Sequence, residues 1–279
     1  MQTITPLEEN IVIRPNSIEI NEALADEYVK QERWEDAARV YRSLLSLYPA
    51  TASLFVNRIR LGATALMISS TFVFFAELIH PTVPNAMQYP AVFAQAIGST
   101  NYLAAQILLL LAFPFFSTAA ISIYKLLSYT HDHRPAFWAM VFSVIGVGLS
   151  MPLLGINAIV QPLIARLYLA GELGTLNLYT VMQGMPWSLI LHFGNYLFAL
   201  GIAIFSWVIL RNQNFPKWAI VLFLAGWIMF IVSLASSQLY MTLTGLLIFI
   251  GGIGLAHSAW IQAPLQFKPI IDSSQKADS

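Results

Sequence analysis

Long apolar runs alternate with short polar connections through most of this chain, from about Leu61 to Ile261. Each run has about twenty residues, which at about 1.5 Å per residue crosses the roughly 30 Å hydrocarbon core of a bilayer. Such runs form helices, because unpaired backbone groups are costly in lipid. The predicted spans are Leu61–Ile79, Tyr102–Leu127, Phe137–Ile156, Met185–Leu210, Trp218–Ala235 and Leu239–Ile261. The pattern therefore predicts an all-α, polytopic membrane protein with six transmembrane helices.

Positive charges collect on one side of these predicted spans. Eight near-membrane Lys and Arg residues share the side of the N-terminus, namely Arg58, Arg60, Lys125, Arg134, Arg211, Lys217, Lys268 and Lys276. Arg166 stands alone on the other side. Because cytoplasmic connections carry the excess of Lys and Arg, both termini are predicted to be cytoplasmic.

Two of the connections between spans are long. His80–Asn101 contains three prolines, and we expect an ordered connection without regular helix. Asn157–Gly184 is apolar but is interrupted by Pro162. It is expected either to extend the third span or to form a helix at the membrane interface.

Composition excludes several classes of function. Hydrophobic residues make up 57% of the chain and charged residues 10%, whereas soluble domains have about 25% charged residues. The net charge is zero, which argues against a nucleic-acid partner. The chain has no cysteine, so disulfides and thiolate metal sites are excluded. Walker, dinucleotide-binding and HExxH motifs are absent from the sequence, and we expect no catalytic residues.

The polar residues before the first span carry the spacing of a helical hairpin. Leu24 and Tyr28 share one face of a first predicted helix, and Tyr41 and Leu44 share a face of a second. Residues Ile18–Pro49 resemble a single tetratricopeptide repeat. Such repeats need about three copies to bury a continuous core. The hairpin is therefore expected to cap the membrane domain or to dock, through these four residues, on another protein or on a second copy.

Three regions follow from these patterns. Residues 1–55 are predicted to form the cytoplasmic hairpin after a disordered start. Residues 56–262 form the six-helix transmembrane domain, and residues 263–279 form a disordered cytoplasmic tail.

Seven polar side chains interrupt the apolar runs near the predicted outer side of the membrane. They are Glu77, His80, Gln106, Asn157, Gln161, His192 and Asn195. Polar groups inside a membrane are costly and are often functional. They could pair with each other between helices, or line a pocket for a small or amphiphilic ligand. A third hypothesis is metal or haem b ligation by His80 and His192, with Glu77 in a His/carboxylate set.

Three further residues in the last span are expected to serve helix packing. His257 is predicted to be buried as a packing donor near the cytoplasmic end of that span. Gly252 and Ala256 are spaced to allow close approach of another helix.

A segment around the fourth and fifth spans resembles a known family. It reads LHFGNYLFALGIAIFSWVILRNQNFPKWAIVLFLAGW, with a Leu-His pair ending at His192, a short basic loop with Pro216, and Trp218 at the start of the next span. This layout over Asn101–Ile261 is similar to an uncharacterised bacterial family of small six-helix membrane proteins, a domain of unknown function. The resemblance implies six or so helices in a bacterial cytoplasmic membrane, with no assigned activity, and it marks His192.

The sequence leads to a non-enzymatic hypothesis, with alternatives from two other classes. The first is an accessory or assembly subunit of a bacterial membrane complex that docks on another membrane or cytoplasmic protein, or on itself, through the hairpin. The second is a transporter or binding protein that uses the outer polar residues. The third is a haem-binding redox protein.

Overall fold

In the computed structural model most of the described chain is helical, and no strand occurs among the described residues. The structure describes residues 49–128, 132–184, 187–211, 215–232 and 237–265, with isolated positions between 21 and 40. Five helices in these ranges are long and apolar enough to cross a membrane, and Lys217–Ile231 is a shorter apolar helix. The chain therefore has the all-α architecture of a membrane protein.

The helices follow one another with short connections. They are α1 (Pro49–Ile79), α2 (Pro90–Ile97), α3 (Thr100–Leu127), α4 (His133–Gly155), α5 (Gln161–Leu169), α6 (Thr175–Gln183), α7 (Trp187–Arg211), α8 (Lys217–Val232) and α9 (Gln238–Leu265). A π-helical turn at Ile156–Val160 joins α4 to α5.

Six of the described helices form a closed ring. In order around the ring, α1 packs against α3, α3 against α4, α4 against α7, α7 against α8, α8 against α9, and α9 against α1. Aromatic rings of Phe113, Phe116, Phe198 and Trp227 meet in the centre and form the aromatic floor. The Trp227 ring centroid lies 4.9 Å from that of Phe198 and 5.1 Å from that of Phe116, both edge to face. Edge-to-face pairs add about 0.5–1.5 kcal/mol each beyond their buried area.

Small residues bring neighbouring helices of the ring close together. A Cβ at Gly146 of α4 would overlap the backbone of Phe198 on α7. A Cβ at Gly252 of α9 would overlap the Ser70 side chain on α1, so the expected close approach at Gly252 is present. Backbone proximity through small residues is the usual way in which membrane helices gain packing energy.

The prediction that the first connection lacks regular helix was wrong, because α2 lies within it. Proline is tolerated in the first helical turn, and Pro90 occupies that turn. Phe93, Ala94 and Ile97 are buried, with Tyr102 and Ala165 in the same cluster. This burial stabilises a helix too short to persist alone.

The second connection begins as a helical continuation of the third predicted span. The α4 helix, the π-helical turn and α5 form one apolar rod, His133–Leu169, of 37 residues. At about 1.5 Å per residue this rod is about 55 Å long and exceeds the hydrocarbon thickness. The separate helix α6 then leads back toward the ring.

The ends of the ring differ chemically. At the basic end, Arg211 pairs with Asp132 at 3.2 Å and its guanidinium lies 4.6 Å from the centroid of the Trp207 ring. Arg60 lies 5.1 Å from the centroid of the Trp260 ring. The opposite end, where α1 stops at Ile79 and α3 begins, contains a polar cavity and is called the cavity end.

Candidate functional site

A cavity of about 430 Å³ lies inside the ring at the cavity end. Its lining comes from α1, α3, α4, the π-helical turn, α7, α8 and α9. Phe113, Phe198 and Trp227 of the aromatic floor close its inner side. Pockets of about 300–1,000 Å³ are the size that takes small organic ligands.

Six of the seven polar residues singled out in the sequence line this one cavity. They are Glu77, His80, Gln106, Asn157, His192 and Asn195. Gln161, the seventh, is buried next to it and donates from Nε2 to Asn157 Oδ1 at 2.8 Å. The fold therefore brings side chains from four separate spans, 118 positions apart at most, to one place.

A first hydrogen-bonded group joins the end of α1 to α3. His80 Nδ1 lies 2.9 Å from the carbonyl oxygen of Pro81, which can only accept, so Nδ1 carries the proton. His80 Nε2 then accepts from Gln106 Nε2 at 3.2 Å. Burial lowers the pKa of His80, against a smaller opposite effect of the Pro81 hydrogen bond. His80 is thus a neutral side chain with both ring nitrogens engaged.

A second hydrogen-bonded group joins α3 to the π-helical turn. Tyr102 donates its hydroxyl proton to Gln161 Oε1, and Gln161 donates to Asn157. The Tyr102 ring also contacts His80, with centroids 5.2 Å apart. A π-helical turn rotates the residues after it relative to a regular helix and is often found at functional sites. Here it carries Asn157 on the cavity wall and is followed at once by Gln161.

Several buried polar atoms of the cavity have no partner. Gln106 Oε1 and Asn195 Oδ1 are buried without a donor, and Trp227 Nε1 is buried without an acceptor, among the described residues. The Glu77 carboxyl group is also buried, and no described side chain or backbone group donates to it. An unsatisfied buried polar atom costs about 1–3 kcal/mol. Such atoms are rare in native proteins, and three of the seven found among the described residues belong to side chains that line this cavity.

Sequence reasoning missed the aromatic part of the site. Tyr240 lines the cavity and donates its hydroxyl proton to Met229 O, one of the last carbonyls of α8, at 2.7 Å. Trp227 lines the cavity although it is 1% exposed. The signal available in the sequence was the depth of Trp227 within its span, where interface tryptophans do not occur.

The prediction that His257 is buried was wrong. It is exposed on the outer face of α9, whereas its neighbour Ala256 is fully buried. Successive helix residues are rotated by about 100°, so an inward Ala256 turns His257 outward. His257 lines a surface groove with Trp218 and Gln262 and has no part in the cavity.

The metal and haem hypothesis finds limited geometric support. Among the described residues, no group of three His, Cys, Asp or Glu side chains is close enough to hold a metal ion. Ligation through His80 Nε2 would displace the Gln106 amide that occupies this nitrogen.

The predicted hairpin falls mostly on residues outside the described part of the chain. Leu24 and Tyr28 are helical and buried. Tyr41 and Leu44 lie outside the described residues, so the hairpin and its docking role stay predictions.

Comparison of the chain with protein-family models, with curated proteins and with solved structures finds no match of any of the three kinds.

Proposed function

We propose that this chain is a polytopic membrane protein that binds a small organic ligand in the cavity at one end of its helix ring. The observation that carries the proposal is the set of buried polar atoms without partners, on Gln106, Asn195 and Trp227, around a cavity of ligand size. A ligand that reached these atoms would satisfy them and would recover their desolvation cost.

The alternative in which the polar residues only hold helices together accounts for part of the site. The bonds from Gln106 to His80 and from Gln161 to Asn157 join neighbouring elements. The bond to His80 uses only the nitrogen of the Gln106 amide group. The amide oxygen of Gln106 is buried and has no partner. Helix pairing does not explain why the Gln106 oxygen is buried without a partner, whereas ligand binding does.

The accessory-subunit and haem hypotheses stay predictions and are not the function favoured here. Docking would depend on Leu24, Tyr28, Tyr41 and Leu44, two of which lie outside the described residues. A haem protein would reveal itself by a Soret band after purification. The engaged nitrogens of His80 are the reason to prefer an organic ligand.

We further propose that α8 is the sixth transmembrane helix. With 16 residues it is about 24 Å long, shorter than the roughly 30 Å hydrocarbon core. It packs between α7 and α9, both long enough to span. Short helices are accommodated by local thinning and by flanking polar residues that reach the interface, as Lys217 and Trp218 can do.

The test is a ligand screen on two matched variants. Asn195→Leu replaces the side chain with the unpaired oxygen by an apolar one of similar size. We expect the unliganded variant to be more stable than the wild type by about 1 kcal/mol of unfolding free energy. It should therefore unfold at a higher temperature. Compounds that stabilise the purified wild-type protein should lose their effect on this variant.

Asn177→Leu is the control, because Asn177 is exposed on α6 at the same end of the molecule. It should keep the wild-type response to every compound. Equal ligand responses of the wild type and Asn195→Leu would show that the cavity is not a binding site.

A further inference from the structure

We infer that the ligand of this cavity is an organic cation with N–H donors, such as a protonated amine. This inference rests on the proposed function and adds the chemical class of the ligand. It is drawn from the charge, the acceptors and the aromatic rings around the cavity.

The charge of the lining comes from one residue. Glu77 is the only Asp, Glu, Lys or Arg among the described residues around the cavity. His80 is neutral, because burial lowers its pKa, and its single ring proton lies on Nδ1, which donates to Pro81 O. A carboxyl group out of water is ionised only when a partner of opposite charge lies beside it, and it is otherwise protonated. The described part of the chain supplies no such partner to Glu77, so a cationic ligand is the group that would hold it in the ionised form.

The unpaired polar atoms around the cavity are mostly acceptors. Gln106 Oε1 on α3 and Asn195 Oδ1 on α7 are buried acceptors without a partner, and Glu77 on α1 adds a carboxyl group to the lining, which accepts when it is ionised. Trp227 Nε1 is the single unpaired donor. These acceptors lie on three helices and favour a ligand that donates, as a primary ammonium group does with its three N–H donors. A carboxylate or phosphate ligand would face Glu77.

The assignment of the Gln106 oxygen follows from the His80 tautomer. Since His80 Nε2 accepts, the Gln106 atom 3.2 Å from it must be the amide nitrogen. The other end of the side chain, which is buried without a partner, is therefore the acceptor oxygen.

Aromatic rings complete the cation site. Tyr196, Phe198, Trp227, Phe230 and Tyr240 all line the cavity. The faces of such rings attract cations, Trp most strongly, and the attraction grows when the cation is desolvated. A cavity of about 430 Å³ is far larger than a single metal ion. The ligand is therefore an organic ammonium compound whose apolar part fills the space above the aromatic floor.

The experiment compares three probes that share one skeleton. They are phenethylamine, 2-phenylethanol and 3-phenylpropionate, titrated at neutral pH into protein purified in mild detergent, with calorimetry as the readout. We expect the amine to bind at least about tenfold more tightly than the alcohol, because hydrogen bonds to charged groups are the stronger ones. The carboxylate should bind most weakly.

Glu77→Gln removes the charge with little change of shape. It should weaken amine binding by at least about tenfold and leave alcohol binding within a factor of about two. Glu172→Gln is the matched control, because Glu172 is an exposed carboxyl group at the same end of the molecule, between α5 and α6. It should leave all three affinities unchanged. If Glu77→Gln does not yield folded protein, the ranking of the three probe affinities for the wild type tests whether the ligand is a cation.

The outcomes separate this inference from the proposed function. Binding of the alcohol or the carboxylate that equals or exceeds amine binding, and that is lost in Asn195→Leu, overturns the cation assignment and leaves a ligand-binding cavity. Amine binding unchanged in Glu77→Gln overturns it too. If sodium chloride stabilises the protein, if this effect depends on Glu77 and if the amine has no effect, the ligand is a metal ion and the assignment of an organic cation is wrong. Absence of amine binding up to the solubility limit also overturns the cation assignment, and the Asn195→Leu screen then decides on the cavity.

Discussion

Single residues decide how the cavity end is held together, and Tyr102 is the clearest case. Its hydroxyl group on α3 donates to Gln161, which donates in turn to Asn157. Tyr102 is 4% exposed, so water does not reach the bond easily. One phenolic proton therefore ties α3 to the wall formed by the π-helical turn.

Tyr102→Phe is expected to destabilise the protein by about 0.6–1.5 kcal/mol, because it leaves Gln161 Oε1 buried without its donor. The measurement is the unfolding midpoint in mild detergent. Tyr89→Phe is the control, since Tyr89 is 58% exposed in the first connection. Equal midpoints for both variants would show that the Tyr102 hydroxyl group contributes no net stability.

The polar part of the site could be predicted from sequence at this scale, and the aromatic part could not. Amides and ionisable groups such as Gln106 and Glu77 are conspicuous within apolar runs, because their insertion into lipid costs free energy. Tyrosine and tryptophan are ordinary residues near the ends of membrane helices. Tyr102 and Tyr240 therefore carry no comparable signal in the sequence, although their hydroxyl groups bond inside the protein.

At the scale of the elements, close helix contact depends on where glycine lies on a helix. Gly146 and Gly148 are both in α4, two residues apart. A Cβ at Gly146 would overlap the Phe198 backbone on α7, whereas a Cβ at Gly148 would meet nothing within 4 Å. The two positions therefore separate packing from helix propensity.

Gly146→Ala is expected to destabilise the protein by at least about 1–3 kcal/mol, the usual range for forced overpacking. Gly148→Ala should be neutral or stabilising by up to about 1 kcal/mol, since alanine is the better helix former. Thermal unfolding of both variants in the same detergent checks the difference. A smaller loss for Gly146→Ala than for Gly148→Ala would contradict the α4–α7 contact.

The positions of the five long apolar helices could be predicted from sequence, but the rotation of each helix could not. A membrane helix is apolar on all sides, so the period of its hydrophobic residues does not mark an inner face. This is why His257 was placed inside, and it lies outside next to buried Ala256. Helix α2 escaped prediction for a related reason, because its stability comes from packing of Phe93 and Ile97 and not from its own eight residues.

On the scale of the whole molecule, the ring presents an apolar surface outward and a polar cavity inward. Large side chains such as Leu61, Ile145 and Val221 are about half exposed on the outside. In water this surface would promote association, and in a bilayer it is matched to lipid. The membrane assignment thus agrees with both the length of the helices and the chemistry of their outer faces.

Single cysteines can test the predicted orientation and the sixth span, because the chain has no cysteine of its own. Asn57→Cys at the basic end and Ser279→Cys at the C-terminus should react with a membrane-impermeant maleimide only after permeabilisation. Asn177→Cys on α6 should react in intact cells, as the distribution of Lys and Arg predicts. Opposite labelling of Asn57→Cys and Ser279→Cys would mean an odd number of spans and would remove α8 from the membrane.

The aromatic floor makes the two faces of this membrane protein unequal. On the other side of Phe198, the described residues enclose a mostly apolar void of about 40 Å³. One water molecule occupies about 30 Å³ in liquid water, so the void is of about that size. Trp227 is 1% exposed and is held by rings on α3 and α7. The passage into the protein is therefore a dead end in this conformation. A ligand that enters at the cavity end would have to leave by the same end while the protein keeps this conformation.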